Sequence, residues 1–115
     1  MAQLLEVQVD RRDDAARLVV MGELDIGTAD ILRRAIDGVR GTEVALLLVD
    51  LRELSFMDST GIRILLELAA DSARDGWRLT VVKGPPQVQQ LLEMMRIDER
   101  LPLVESPEDA GFGAG

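Results

Sequence analysis

The stretch Val44–Gly61, VALLLVDLRELSFMDSTG, holds the pattern on which the architecture turns. Its apolar run ALLLVDL (45–51) is dense in Leu and Val and bounded by polar residues. Such a run fits a strand buried on both faces, as in a parallel sheet covered by helices. RELSFM (52–57) is expected to be a short link. Asp58, Ser59 and Thr60 are all helix N-capping types, so a helix is expected to begin within that trio, with the Ser59 and Thr60 hydroxyls at its mouth. A hydroxyl in that place can be phosphorylated.

Beyond Gly61, residues placed about 100° apart put Ile62, Leu65, Leu66, Ala69 and Ala73 on one stripe facing the sheet. Arg63, Glu67, Asp71 and Arg74 lie opposite. Ile64 and Leu68 fall outside the stripe. They either meet a neighbouring loop or helix of the same domain or form a partner-binding strip on the exposed face.

Upstream, Leu5, Val7 and Val9 alternate with Glu6, Gln8 and Asp10, the pattern of a half-buried strand ending at the charged turn Asp10–Asp14. Leu18–Met21 is expected to be its hairpin partner. The link Gly22–Gly27 follows. Thr28 is the expected N-cap of a helix through Val39, with Ile31, Ala35 and Val39 on its core face beside Leu32 and Ile36. Downstream, Arg78–Lys83 forms another strand. Pro85-Pro86 then opens a third helix carrying Val88, Leu91, Leu92 and Met95. Leu101–Val104 adds a short edge strand limited by Pro102. Ser106-Pro107-Glu108-Asp109 resembles a helix start, but the chain runs into GFGAG, and residues 110–115 are expected to fray. These elements make one α/β domain with an ordered core at about residues 4–105. They describe a mixed β-sheet of four to five strands, the first antiparallel and the rest largely parallel, covered by three to four helices.

A chain of 115 residues that is 47% apolar supports a single core. Thirteen basic against 21 acidic residues leave a formal charge of -8, with the basic residues scattered. Repulsion from phosphates argues against nucleic acid or an anionic membrane as the main partner. With no Cys and no His, soft metal sites and His-dependent triads are excluded, and neither a metal nor a cofactor is expected. MAQLLEVQV lacks the basic region of a signal peptide, and no apolar run approaches ~18 residues, so a cytoplasmic protein without membrane insertion is expected.

A phosphate on Ser59 would carry about -1.5 to -2 charges where helix N–H groups favour an anion. The fold would keep it while the outer surface turned repulsive toward a partner, through Asp58 and, if its loop lies close, Asp25. At ~5 Å and an effective dielectric of ~20, each pair of unit charges costs roughly 3 kcal/mol before screening. The plain alternative is that Asp58, Ser59 and Thr60 only cap a helix.

Leu54-Ser55-Phe56-Met57-Asp58-Ser59-Thr60-Gly61, preceded by Val49-Asp50-Leu51 and by Gly22-Glu23-Leu24-Asp25, closely resembles the STAS family, specifically its anti-sigma factor antagonists. The order of elements matches over roughly residues 4–109. The resemblance implies a non-enzymatic partner-switching protein acting in transcription regulation. Unphosphorylated, it binds an anti-sigma factor that is also a serine kinase with a histidine-kinase-like ATPase fold, and so frees the sigma factor. Phosphorylation releases it, and a serine phosphatase resets the cycle. Carried over by position, the resemblance implies Ser59 as phosphoacceptor, Thr60 as a secondary one, Asp58 as acidic neighbour and Asp25 as a residue presenting the docking surface. Gly61 either permits close approach of a partner or serves tight helix packing. In two places the chain departs from the family. Arg63 stands where many antagonists carry a small residue, and the final helix is nearly absent.

Three other readings are weighed. Asp50 and Lys83 at strand ends resemble a phosphoaspartate receiver, but Asp13 and Asp14 sit in a hairpin rather than at the end of the first strand, where the Mg²⁺ carboxylates would be needed. A STAS-like subunit of a stable scaffold or transporter-associated complex would keep the fold and never modify Ser59. A Ser59 nucleophile lacks both His and a nearby Lys as base.

Overall fold

The structure, a computed structural model, describes residues 4–112. β1 (Leu5–Arg12) and β2 (Ala15–Leu24) form an antiparallel hairpin across the two-residue turn Asp13-Asp14, where Asp13 takes a left-handed φ of 55°. Both strands are longer than their apolar alternation suggests. Asp10, Arg11 and Arg12 stay in the ladder because charged side chains are tolerated where the hairpin meets water, and Asp10 lies 3.4 Å from Arg17 of the facing strand.

The chain continues through α1 (Ala29–Arg40), β3 (Leu46–Asp50), β4 (Leu54–Met57), α2 (Ser59–Asp75), β5 (Arg78–Val82), α3 (Pro86–Met94), β6 (Leu103–Val104) and a 3-10 turn at Pro107–Ala110. The sheet order is β1-β2-β3-β5-β6, all parallel beyond the first pair, with β4 also on β2. It therefore has six strands, one more than expected, because RELSFM is not a mere link. Ala15–Val19 of β2 faces β3, whereas Gly22–Leu24, on the same edge, faces β4. The chain thus leaves that edge at Leu51-Arg52-Glu53 and returns to it. The register slips between Gly22 and Glu23, and Gly22 sits at φ 103°. A Cβ on Gly22 would collide with the Leu4 carbonyl oxygen, so the bulge requires glycine.

Alternation of side chains divides the core in two. Leu47 and Val49 of β3 join Leu79 and Val81 of β5 in the main core with Leu32 and Ile36 of α1, Leu65 of α2 and Leu92 of α3. Leu48 and Val82, with opposite parity, pack instead with Ala110 and Phe112. The terminal turn thus covers the second face of the sheet. This corrects the expected fraying from residue 110, since Ala110 and Phe112 are both buried. Residues 113–115, the rest of that expectation, lie outside the described residues. The apolar reason is plain: burying a Phe ring is worth about 1.5–3 kcal/mol, enough to hold a short turn in place.

Candidate phosphoacceptor site at the start of the second helix

Parallel pairing of β2 with β4 brings two loops together. Leu24 faces Met57, and the Asp58 N–H donates to the Leu24 carbonyl at 3.3 Å. The segments that follow, Asp25–Thr28 and Asp58–Thr60, therefore leave the sheet side by side.

Asp58 is the N-cap of α2, with extended backbone (φ -115°, ψ -167°), and its carboxylate accepts the Thr60 N–H at 2.8 Å. Its carbonyl accepts from Gly61 and Ile62. These bonds satisfy donors that a helix start otherwise leaves open. Ser59 is the first helical residue and is exposed, while Thr60 is half-buried. The helix thus begins within the expected trio, and the Ser59 side chain stands outside the core.

Asp25 has a job inside its own turn. One carboxylate oxygen accepts from the Gly27 N–H at 2.9 Å and the Thr28 N–H at 3.1 Å, and the Asp25 carbonyl accepts from Ala29 at 2.9 Å. Thr28 is the cap residue of α1 by position, but its hydroxyl turns back, donating to the Glu23 carbonyl at 2.7 Å and accepting from the Asp25 N–H at 3.0 Å. Asp25 therefore shapes the loop beside Ser59. Ile26, at its tip, is 85% exposed.

Three expected partner-binding residues are placed elsewhere. Gly61 is buried, and a Cβ there would stand 2.5 Å from Met57 Cγ and 2.9 Å from Leu24 Cδ2. No room remains for a partner backbone, so of its two readings the packing one holds. Ile64 and Leu68 are buried at 1% and 4% exposure, not on an outer strip. They line a small cleft with Ile36 and Asp37 of α1, whose lip is closed by the Arg33–Glu67 ion pair at 2.9 Å. That hydrogen bond raises the Arg33 pKa. The buried face of α2 consequently includes Gly61, Ile62, Ile64, Leu65 and Leu68, rotated from the expected stripe, and Ala73 is exposed. The 3.6-residue period finds an apolar arc but not that two neighbours, sheet and α1, share it. Arg63 does lie exposed, one turn past Ser59.

Phe56 and Met94 were not singled out from sequence. Phe56 is 46% and Met94 82% exposed, and with Met57, Gln87 and Leu91 they line a shallow groove on the strand that delivers Ser59. The available signal was an aromatic three residues ahead of the serine in a chain whose aromatic content is only 3%.

Asp50 is committed to structure. Buried at 1% exposure, it receives a two-pronged Arg52 guanidinium, 3.0 and 2.8 Å at the nearest atoms, plus the Arg52 N–H, and Arg17 lies 3.9 Å away. The carboxylate in turn raises the Arg52 pKa. Lys83 pairs with Glu105 at 2.8 Å instead of approaching Asp50, which removes the basis of a receiver-like acceptor.

A family model described as "Mlab, STAS domain" matches residues 7–105. The anti-sigma F factor antagonist of Paenibacillus polymyxa is 24% identical over 107 residues, 92% of each chain. An anti-sigma factor antagonist from Mycobacterium paratuberculosis superposes with a TM-score of 0.79 at 28% identity, covering 92% of this chain and 90% of that one. The anti-sigma factor antagonist SpoIIAA in its unphosphorylated form gives a TM-score of 0.75 at 20% identity over 91% and 92% of the two chains, a likeness of fold. With its family match spanning nearly the whole sheet and all three helices, the chain belongs to the STAS domain family.

Proposed function

We propose that the protein is an anti-sigma factor antagonist switched by phosphorylation of Ser59. The observation that supports this most is the exposed Ser59 at the first position of α2, beside a capping Asp58 whose carboxylate is already engaged. In the unmodified state the surface around Ser59 binds an anti-sigma factor that is also a serine kinase. The exposed Phe56, Met94 and Ile26 supply apolar contact there, while Arg63 and Asp58 supply polar contact. Asp25 acts through the loop it holds. Thr60, half-buried and bonded through its amide, is the less accessible hydroxyl.

In the switching step the Ser59 oxygen attacks the γ-phosphorus of ATP held by the kinase, ADP leaves, and the serine proton passes to a base of the kinase. The product carries about two negative charges at the positive end of α2, where the helix dipole favours an anion. Nothing in the core has to move. What changes is the outer surface, where an anion now meets any partner group that had accommodated a neutral hydroxyl. Unit charges of one sign at ~5 Å, in a medium of effective dielectric ~20, repel by roughly 3 kcal/mol, and half of that after screening is about a tenfold loss of affinity. A serine phosphatase restores the neutral form.

The test is incubation with the anti-sigma factor from the same cells and ATP, read by intact mass and peptide mapping. One phosphate on Ser59, absent in Ser59→Ala, is expected. Unmodified protein recovered in a fixed ratio with a membrane complex would contradict the reading.

A further inference from the structure

β1 is a terminal strand of the sheet, eight residues long, with neither proline nor a bulge. Its register with β2, Leu5↔Gly22 through Arg12↔Ala15 across a two-residue turn, settles where its backbone groups point. The residues Glu6, Gln8, Asp10 and Arg12 direct their N–H and C=O groups at β2, in phase with the Glu23 N–H bond to the Leu4 carbonyl at 2.7 Å. Leu5, Val7, Val9 and Arg11 direct theirs away from the sheet, and because Leu5 is itself buried the accessible outward groups are those of Val7, Val9 and Arg11. Val9, in the middle of that outward row, is 47% exposed.

Among the described residues no strand pairs with this edge, and an unpaired strand edge is a template for another strand. We infer that it pairs antiparallel with β1 of a second copy, joining two sheets into one, with the twofold axis at Val9. Charge complementarity selects that register. Centred on Gln8, pairing would set Glu6 against Asp10 of the second copy, twice, as like charges. Centred on Val7, it would leave Arg11 and Arg12 beyond the paired region. Centred on Val9, it sets Val9 against itself as a hydrogen-bonded pair, Val7 against Arg11, and Glu6 against Arg12 on both sides of the axis. Arg12, whose guanidinium is 3.6 Å from Asp10 and 4.9 Å from the Phe112 ring, is held at that edge by groups of its own subunit. Ser59 follows β4, on the other side of β2, so both copies keep it accessible. Paired edges bury less than a standard interface, which gives a weak dimer, populated only at high protein concentration.

The chain has no cysteine, so single-cysteine variants report the register directly. In an antiparallel hydrogen-bonded pair the Cα atoms lie about 5.5 Å apart, within disulfide reach, whereas two residues displaced by four positions are separated by roughly 13 Å. Mild oxidation should therefore cross-link Val9→Cys rapidly and Val7→Cys slowly. Adding Glu6→Arg, which replaces both attractive pairs by repulsive ones on an exposed strand, should slow the Val9→Cys cross-link about tenfold while circular dichroism shows the fold retained. Equal rates at the two positions, no effect of Glu6→Arg, or a monomer in sedimentation up to about 1 mM would overturn the inference.

Discussion

The Asp58 amide donates to the Leu24 carbonyl at 3.3 Å, a bond that extends the β2–β4 pairing and ties the end of β2 to the start of α2. Through it the turn held by Asp25 and the serine at the mouth of the helix share one end of the sheet. The proposed switch lives in that junction, while the residues beneath it, Gly61, Met57 and Leu24, are packed against one another.

Removing the cap carboxylate should loosen the helix start without changing the fold. Asp58→Ala should cost about 1 kcal/mol, and Asp58→Asn much less, because an amide oxygen can still accept from Thr60. Urea unfolding monitored by circular dichroism checks the pair.

Asp25→Ala removes the acceptor for two amides of its own turn, so it should cost ~1–2 kcal/mol rather than being neutral. Asn at that position should recover most of the loss. Equal stability of wild type and the Ala variant in urea would show that the turn stands without the carboxylate.

Gly61→Ala places a methyl group 2.5 Å from Met57 Cγ and 2.8 Å from its sulfur. Met57 is flexible, yet it is buried, so a destabilisation of about 1–3 kcal/mol is expected, with a lower melting temperature as the readout. Met57→Ala should relieve part of that strain in the double variant.

Much of this was legible in sequence. The Leu- and Val-rich run of β3, the capping trio and the Pro-initiated α3 gave their element types and approximate places, since each is marked by a pattern a short window contains. β4 was not legible, because Ser55 and Phe56 are both exposed and the strand shows no apolar alternation. Its existence depends on the tertiary edge offered by β2. The same holds for Ile64 and Leu68, whose burial depends on α1, and for Phe112, whose anchoring depends on an open sheet face formed by Leu48 and Val82. At the site, Ser59 and Asp58 were placed from local signals, whereas the inward role of Gly61 required knowing what lies under it.

Phe112→Ala should therefore destabilise the domain by about 3 kcal/mol, as for a core aromatic, and should expose Arg12 and Arg17, whose guanidinium carbons lie 4.9 and 5.4 Å from the ring centre. Chemical denaturation together with faster proteolysis at the C-terminal turn would check it. Unchanged stability would mean that the turn is not part of the cooperative unit.

The Lys83–Glu105 hydrogen bond raises the Lys83 pKa from its ordinary 10.5. A raised folded value stabilises below the unfolded one and loses that contribution as pH rises through the folded value. The small difference in melting temperature between wild type and Glu105→Gln should thus be constant at neutral pH and shrink above about pH 10.5. A difference that persists in strong alkali would trace to packing instead.

The most direct measurement of the central claim is calorimetric titration of the anti-sigma factor with the unmodified protein and with the same protein phosphorylated at Ser59, each matched by a thermal melt. Phosphorylation is expected to weaken binding about tenfold or more while the two melts stay within about 1 kcal/mol of each other in stability. Equal affinity of the two forms, or a loss of affinity accompanied by unfolding, would contradict a switch that acts on the surface alone.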